Sequence, residues 1–262
     1  MNQTNTHLTN ARHWDSAAKS LWVCALIIGI CQIVSTILPL TWHEYPTVVD
    51  TNLMYDYDTN PHAYHPSYEI VMGNNPYDMV TILTISILSL AVFITQWVQF
   101  AYLGTWLNIL SWKQNNTYTH LRRYRLGMLI MLISITAMIL LSAIAVLLKI
   151  LHAGGGPEVA FTLNIIPLCG IMAGGILQLI GTIGMAFSTT ADRDMSSGMK
   201  IIISSYIVSI LISTIFVVLI GVGNLDEIQM WLTNLPFILL AVPILQIVGW
   251  RKVCKAQYPY SE

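Results

Sequence analysis

Apolar residues run through this chain in six long blocks, and Asp, Glu, Lys and Arg are confined to the gaps between them. The intervals free of those four residues are 20–43, 79–112, 126–148, 159–191, 201–225 and 228–250. Each holds the roughly 20 apolar residues that an α-helix needs to cross the hydrocarbon of a bilayer. In lipid a spanning segment must satisfy its own backbone, so the pattern predicts helices and not loops. The reading is an all-α integral membrane protein, a six-helix transmembrane bundle forming a single domain. Helices are expected over about 20–40, 79–104, 126–148, 159–187, 201–223 and 229–250. An outer loop at 41–78, ordered at least in part, and a basic inner loop at 105–125 connect them.

The first block follows a polar stretch, is longer than the apolar region of a signal peptide, and ends in Leu38-Pro39-Leu40 without a small-residue cleavage site. It is expected to stay as helix 1. The chain of 262 residues is 55% hydrophobic and 10% charged, against about 25% charged in soluble domains. Six crossings leave no room for an extended soluble domain.

Lys and Arg set the orientation. Arg12, Lys19, Lys113, Arg122, Arg123, Arg125, Arg193, Lys200, Arg251, Lys252 and Lys255 all fall on one side, and Lys149 alone on the other. By the positive-inside rule both termini are expected on the cytoplasmic side, in a plasma membrane or bacterial inner membrane. Nine of the thirteen acids mirror this: Glu44, Asp50, Asp56, Asp58, Glu69, Asp78, Glu158, Asp226 and Glu227 fall outside. Tryptophans mark both edges, Trp42 and Trp231 outside, Trp22, Trp106, Trp112 and Trp250 inside, as in an aromatic belt. Arg122-Arg123-Tyr124-Arg125 reads as an anchor on anionic lipid.

Helices in lipid associate through small residues and interhelical hydrogen bonds. On helix 4, Gly170, Gly174, Gly181 and Gly184 share one face, read as a contact within the bundle in preference to a dimer face. Ser205, Ser209 and Ser213 form a second small stripe on helix 5, the expected partner of that glycine face. Cys24, Cys31 and Ser35 share a face of helix 1, and Ser134, Met138 and Ser142 one of helix 3. Cys24, Cys31 and Cys169 read as small core residues, and Cys254 as a weak lipidation candidate. Pro167, Pro236 and Pro243 are expected to bend helices 4 and 6.

Gln32, Gln96, Gln99, Gln178 and Gln246 punctuate the spans. They either cross-link helices or supply a polar lining for a permeation path. No Asp, Glu, Lys, Arg or His sits mid-span, which argues against proton relays, voltage sensing, haem ligation and charge-coupled transport.

The 41–78 loop holds six acids, six tyrosines, three histidines and no Lys or Arg. Short strands are expected at Thr47-Val48-Val49 and Asn52-Leu53-Met54-Tyr55. His43, Glu44, Asp56, Asp58, His62, His65 and Glu69 are its candidate binding residues. Imidazole and carboxylate suit Zn or Cu, but the proline-broken spacing gives no defined ligand set, so no metal or other cofactor is assigned. GxSxG, HExxH, CxxC, P-loop and GxGxxG motifs are missing, and the glycine run 154–156 reads as a turn. No enzyme is expected. The first functional reading is a non-catalytic membrane component that binds a protein partner through the outer loop or assembles a complex. The second is a transporter or channel for a small neutral or cationic solute, and a third is chemistry on the outer loop. The bilayer and a protein are the expected partners, with no nucleic acid.

Overall fold

The computed structural model describes residues 3–41, 47–50, 68–71, 76–111, 116–150, 157–222 and 238–257. The protein is an all-α membrane bundle. Its helices are α1 (Gln3–Thr41), α2 (Pro76–Leu110), α3 (Asn116–Ile150), α4 (Pro157–Ala186), α5 (Arg193–Val222) and α6 (Ala241–Val253). Five of them, α1 to α5, carry stretches long and apolar enough to cross a membrane. The described helix α6 is the C-terminal part of the sixth expected span; residues 223–237 lie outside the described residues. Each helix packs on the next in sequence, and α6 packs back on α1. The result is a closed ring in chain order.

The helices are longer than the charge-free blocks. At 1.5 Å per residue, the 39 residues of α1 extend roughly 58 Å, about twice the hydrocarbon thickness. Most of the segment expected as a basic inner loop, 105–125, is helix: α2 runs to Leu110 and α3 starts at Asn116. Charge ends the membrane-embedded part of a helix without ending the helix. Gln3 to Lys19 continue α1 because Trp14, Ala17, Ala18 and Leu21 give that stretch a buried face.

That face belongs to the main apolar core, which gathers at the basic end of the ring. Trp14 stacks on Trp106 of α2 with centroids 4.5 Å apart and planes 12° from parallel. Trp14 Nε1 donates to the Ala256 carbonyl at 3.1 Å, and Trp106 Nε1 to the Trp14 carbonyl at 3.3 Å. Leu121, Met185, Met199 and Val253 complete the cluster from α3, α4, α5 and α6. The belt assignment of two tryptophans is therefore corrected. Trp106 is wholly buried and Trp250 is buried, so both pack inside the ring. Trp22 is half-exposed, and Trp42, Trp112 and Trp231 lie outside the described residues.

Away from this end the ring turns its apolar side chains outward. On α1, Val23, Ile27, Ile30, Val34 and Ile37 are exposed at spacings of three and four. Such a stripe is unusual in water and natural against lipid. Several hydroxyls within the helices bond back to the preceding turn, as Thr84 to Val80 O and Thr95 to Ala91 O, which pairs those donors locally. The helix-to-helix turn before α5 is capped by Asp192, whose Oδ1 accepts from the Asp194 N–H at 2.7 Å.

The glycine face of α4 makes an intramolecular contact, but its partner is α3. A Cβ on Gly174 would stand 2.6 Å from the Gly127 carbonyl oxygen, and one on Gly181 would meet the Tyr124 backbone at 2.6 Å. Gly170 is covered by Ser134 and Gly184 by His120. The expected pairing with the serines of α5 is thus replaced by one with α3. The reason is that α3 supplies its own glycine at the closest point. On α5, Ser205 is fully buried and bonds to Ile202 O, and Ser209 is hydrogen-bonded or otherwise engaged. The side chain of Ser213 lies outside the described residues. Between α5 and α6 the close approach is instead Gly198 against Gly249.

Cys24 and Cys31 are buried as expected, whereas Cys169 is exposed on the outer surface of α4 and so is no core residue. Pro167 is accommodated inside a continuous α4, and Pro243 is buried in α6; Pro236 lies outside the described residues.

In the outer loop β1 (Thr47–Asp50) pairs antiparallel with β2 (Tyr68–Val71), with Val48 opposite Ile70. The first expected strand matches β1. The second, 52–55, lies outside the described residues.

Candidate functional site

The ring of helices encloses a cavity of about 170 Å³ to which all six contribute. All five glutamines of the spans among the described residues line it: Gln32 from α1, Gln96 and Gln99 from α2, Gln178 from α4 and Gln246 from α6. Gln96 and Gln99 are three residues apart, which puts both amides on one face of α2. On the adjacent face of α2, Phe93, Trp97 and Phe100 form a run of edge-to-face contacts.

From α3 come Tyr124, Met128, Met131 and Leu132; from α5 Ile202 and Tyr206; from α6 Trp250. Close helix contacts set the positions of these side chains. Gly127 against Gly174 draws α3 onto α4, and brings Met131 within reach of Gln178, whose Nε2 donates to the Met131 sulfur at 3.0 Å. Gly29 lies beneath Ile247, which seats α6 on α1 and presents Gln246 and Gln32 to the same space. Gln178 also accepts, through its backbone carbonyl, a 2.7 Å bond from Thr182. Thr182 is fully buried, and its hydroxyl is a hydrogen-bonding neighbour of Tyr206, which in turn is bonded to Tyr124. By position along α3 and α6, Tyr124 and Trp250 stand at the basic end of the cavity. Their rings meet at 6.1 Å and 64°.

Gln99 is only 4% exposed. Gln32 Oε1 is buried and has no hydrogen-bond partner among the described residues. An orphaned amide oxygen in a bundle interior costs roughly 1–3 kcal/mol. It is the kind of group that a water or a polar ligand completes.

The lining has no Asp, Glu, Lys, Arg or His among the described residues. Its chemistry is that of neutral amides and phenols, which offer both donors and acceptors. Among the described residues no group of three His, Cys, Asp or Glu is placed to hold a metal.

The sequence offered the five glutamines together, as cross-links or as a polar lining, and the structure places all five around one cavity. It did not single out Tyr206, Met131 or Thr182. A lone tyrosine within a span was an available signal, since its hydroxyl needs a polar partner. Of the basic string before helix 3, Arg125 is tied to α2, with Nε donating to Phe100 O at 3.3 Å and its guanidinium 4.3 Å from the Phe100 ring. Arg122 and Arg123 are exposed and Tyr124 faces the cavity. Of the outer-loop candidates, Glu69 falls in β2, and His43, Glu44, Asp56, Asp58, His62 and His65 lie outside the described residues. Comparison of the chain with protein-family models, with curated proteins and with solved structures returns no match.

Proposed function

We propose that this protein binds and passes a small neutral polar solute across the membrane through the centre of its helix ring. The observation that carries the reading is the convergence of Gln32, Gln96, Gln99, Gln178 and Gln246 on one cavity. Amides dispersed as packing cross-links would form pairs between neighbouring helices. Five amides from four helices facing one space instead form a lining. The cavity volume is close to that of an engineered apolar cavity of about 150 Å³ that holds benzene, so its occupant has roughly six non-hydrogen atoms. A neutral lining without fixed charge favours a solute without net charge.

In this reading α6 completes a sixth crossing, the basic ends of the helices face the cytoplasm, and both termini lie on that side. The acidic outer surface then forms the entrance. The partner-binding reading of the 41–78 loop rests on residues largely outside those described, and the cavity is a property of the bundle itself.

The test is a stopped-flow swelling assay on proteoliposomes, with glycerol and urea as probes. The full chain is expected to raise solute entry over empty vesicles. Replacing Gln96, Gln178 and Gln246 together by Leu should abolish the increase while leaving the protein folded. Flux equal to empty vesicles for both probes, or flux unchanged in the triple variant, would remove the reading.

A further inference from the structure

A second concavity lies at the basic end of the ring, on its outside. It is an open groove of about 310 Å³ between α1 and the C-terminal end of α6. Lys19 and Asp15 reach it from α1, and Arg251 and Lys255 from the other wall; Trp22 lies in the groove as well. Three cations and one carboxylate leave the groove at a net charge of +2. The walls come from opposite ends of the chain. They are held together by the buried bond from Trp14 Nε1 to the Ala256 carbonyl, so the fold and not local sequence brings these cations together.

What lies beside the groove identifies its occupant. Next along α1 come Val23, Ile27 and Ile30, which are exposed, and along α6 Ile244 and Val248, also exposed. A polar groove with three cations thus continues into two lipid-facing apolar stripes. Trp22, half-exposed, stands at the junction, where amphipathic rings meet headgroups. A free phosphate compound would use only the charged part. A phospholipid uses both, with its phosphate among Lys19, Arg251 and Lys255 and its acyl chains along α1 and α6. Asp15 supplies an acceptor for a hydroxyl of the headgroup.

We infer that this groove is a binding site for one anionic phospholipid with a hydroxylated headgroup. Basic pockets between helices near one membrane surface are suited to such headgroups. The site is separate from the central cavity and does not depend on what that cavity carries. The bound lipid would bridge the N-terminal helix and the C-terminal segment, closing the ring at its last joint.

The experiment is native mass spectrometry of the full chain in mild detergent, with phosphatidylglycerol and phosphatidylcholine of identical acyl chains as probes. One phosphatidylglycerol per chain is expected to be retained, at lower lipid concentration than phosphatidylcholine. Lys19→Gln, Arg251→Gln and Lys255→Gln together should weaken retention on the order of 100-fold, taking about a fivefold loss per cation near a membrane surface. Arg12→Gln, Arg193→Gln and Lys200→Gln together remove the same charge from exposed positions outside the groove and should leave it intact. Equal retention of the two lipids, or equal loss in both triple variants, would overturn the site in favour of general surface charge. Displacement of the lipid by millimolar glycerol phosphate would overturn it in favour of a soluble phosphate ligand. Should the first triple variant fail to fold, Lys19→Arg with Lys255→Arg must retain the lipid. Phosphatidylglycerol must then also raise the melting temperature of the unaltered protein above its value in phosphatidylcholine. Failure of either would equally sink the inference.

Discussion

Gly127 of α3 and Gly174 of α4 meet backbone to backbone: a Cβ on Gly127 would lie 2.5 Å from the Gly174 carbonyl oxygen, and one on Gly174 would lie 2.6 Å from that of Gly127. Neither neighbour is the end of a flexible side chain, so neither can move aside without shifting a helix. This contact fixes the distance between α3 and α4, and through it the reach of Gln178 to Met131.

Gly174→Ala is therefore expected to destabilise the bundle by about 1–3 kcal/mol, the usual range for overpacking. The adjacent Gly175 is the internal control, since nothing lies within 4 Å of its added Cβ. Gly175→Ala should be neutral or stabilise by up to about 1 kcal/mol, because alanine is the better helix former. Heating series followed by size-exclusion chromatography in detergent would rank the two. Equal losses would mean that α3 and α4 are not in this contact.

The Trp14–Trp106 stack is the second joint on which the ring depends. Trp14→Ala removes a fully buried indole and should cost about 3–5 kcal/mol. Trp14→Phe keeps much of the ring and loses the bond to Ala256 O, which should cost about 1–2 kcal/mol. A double-mutant cycle with Trp106→Phe should show a coupling of about 0.5–1.5 kcal/mol for the stacked pair. Additive losses would show that the two rings act independently.

How far these features were legible in the sequence differs from one to another, for physical reasons. Absent charge marks where lipid begins, and so the five spans were readable. It does not mark where a helix stops, and Gln3 to Lys19 are helical although they carry charge. The spacing of Trp14, Ala17, Ala18, Leu21 and Ala25 carried that information as one amphipathic face. The glycines of α4 were readable as a contact, but not their partner, because Gly127 is isolated on α3 and forms no stripe. Trp106 and Trp250 sit at the sequence depth of an interface and yet point inward. Depth follows from position in the chain, whereas direction follows from which neighbour a helix meets. The glutamines were each visible as polar breaks in apolar runs. Their convergence depends on the rotation of four helices about their axes, set by contacts such as Gly29 against Ile247 that no local pattern encodes.

Cys254 gives a pH-dependent handle on the junction of α1 and α6. Cys254 is half-buried at the edge of the α1–α6 groove, and desolvation there, with the neighbouring Cys24 as the lesser cause, pushes its thiol up from the ordinary 9.0 to about 12. The folded state thus favours the neutral thiol. Its contribution to stability is full below about pH 9 and is lost as pH rises from there toward 12. N-ethylmaleimide should label Cys254 slowly in the folded protein at pH 8–9 and at an ordinary thiol rate after denaturation. Cys24→Ala should lower the thiol only in part, since burial is the larger cause. Folded-state labelling of Cys254 that rises to a plateau by pH 10 would contradict a thiol raised in this way.

Gln32 separates a functional lining from a structural one. Its buried Oε1 is without a partner among the described residues, so a Leu of similar volume removes an unmet polar group. Gln32→Leu should raise stability by about 1 kcal/mol while lowering glycerol entry into proteoliposomes. Gln178 differs, because its amide donates to Met131. Replacing it by Leu exchanges one weak bond to sulfur for apolar contact, and stability should change little while flux again falls. A residue kept at a cost in stability is the mark of a site retained for what passes through it. The opposite pattern, lost stability with unchanged flux in Gln32→Leu, would mean that this amide is held by a structural partner and that the solute does not meet it.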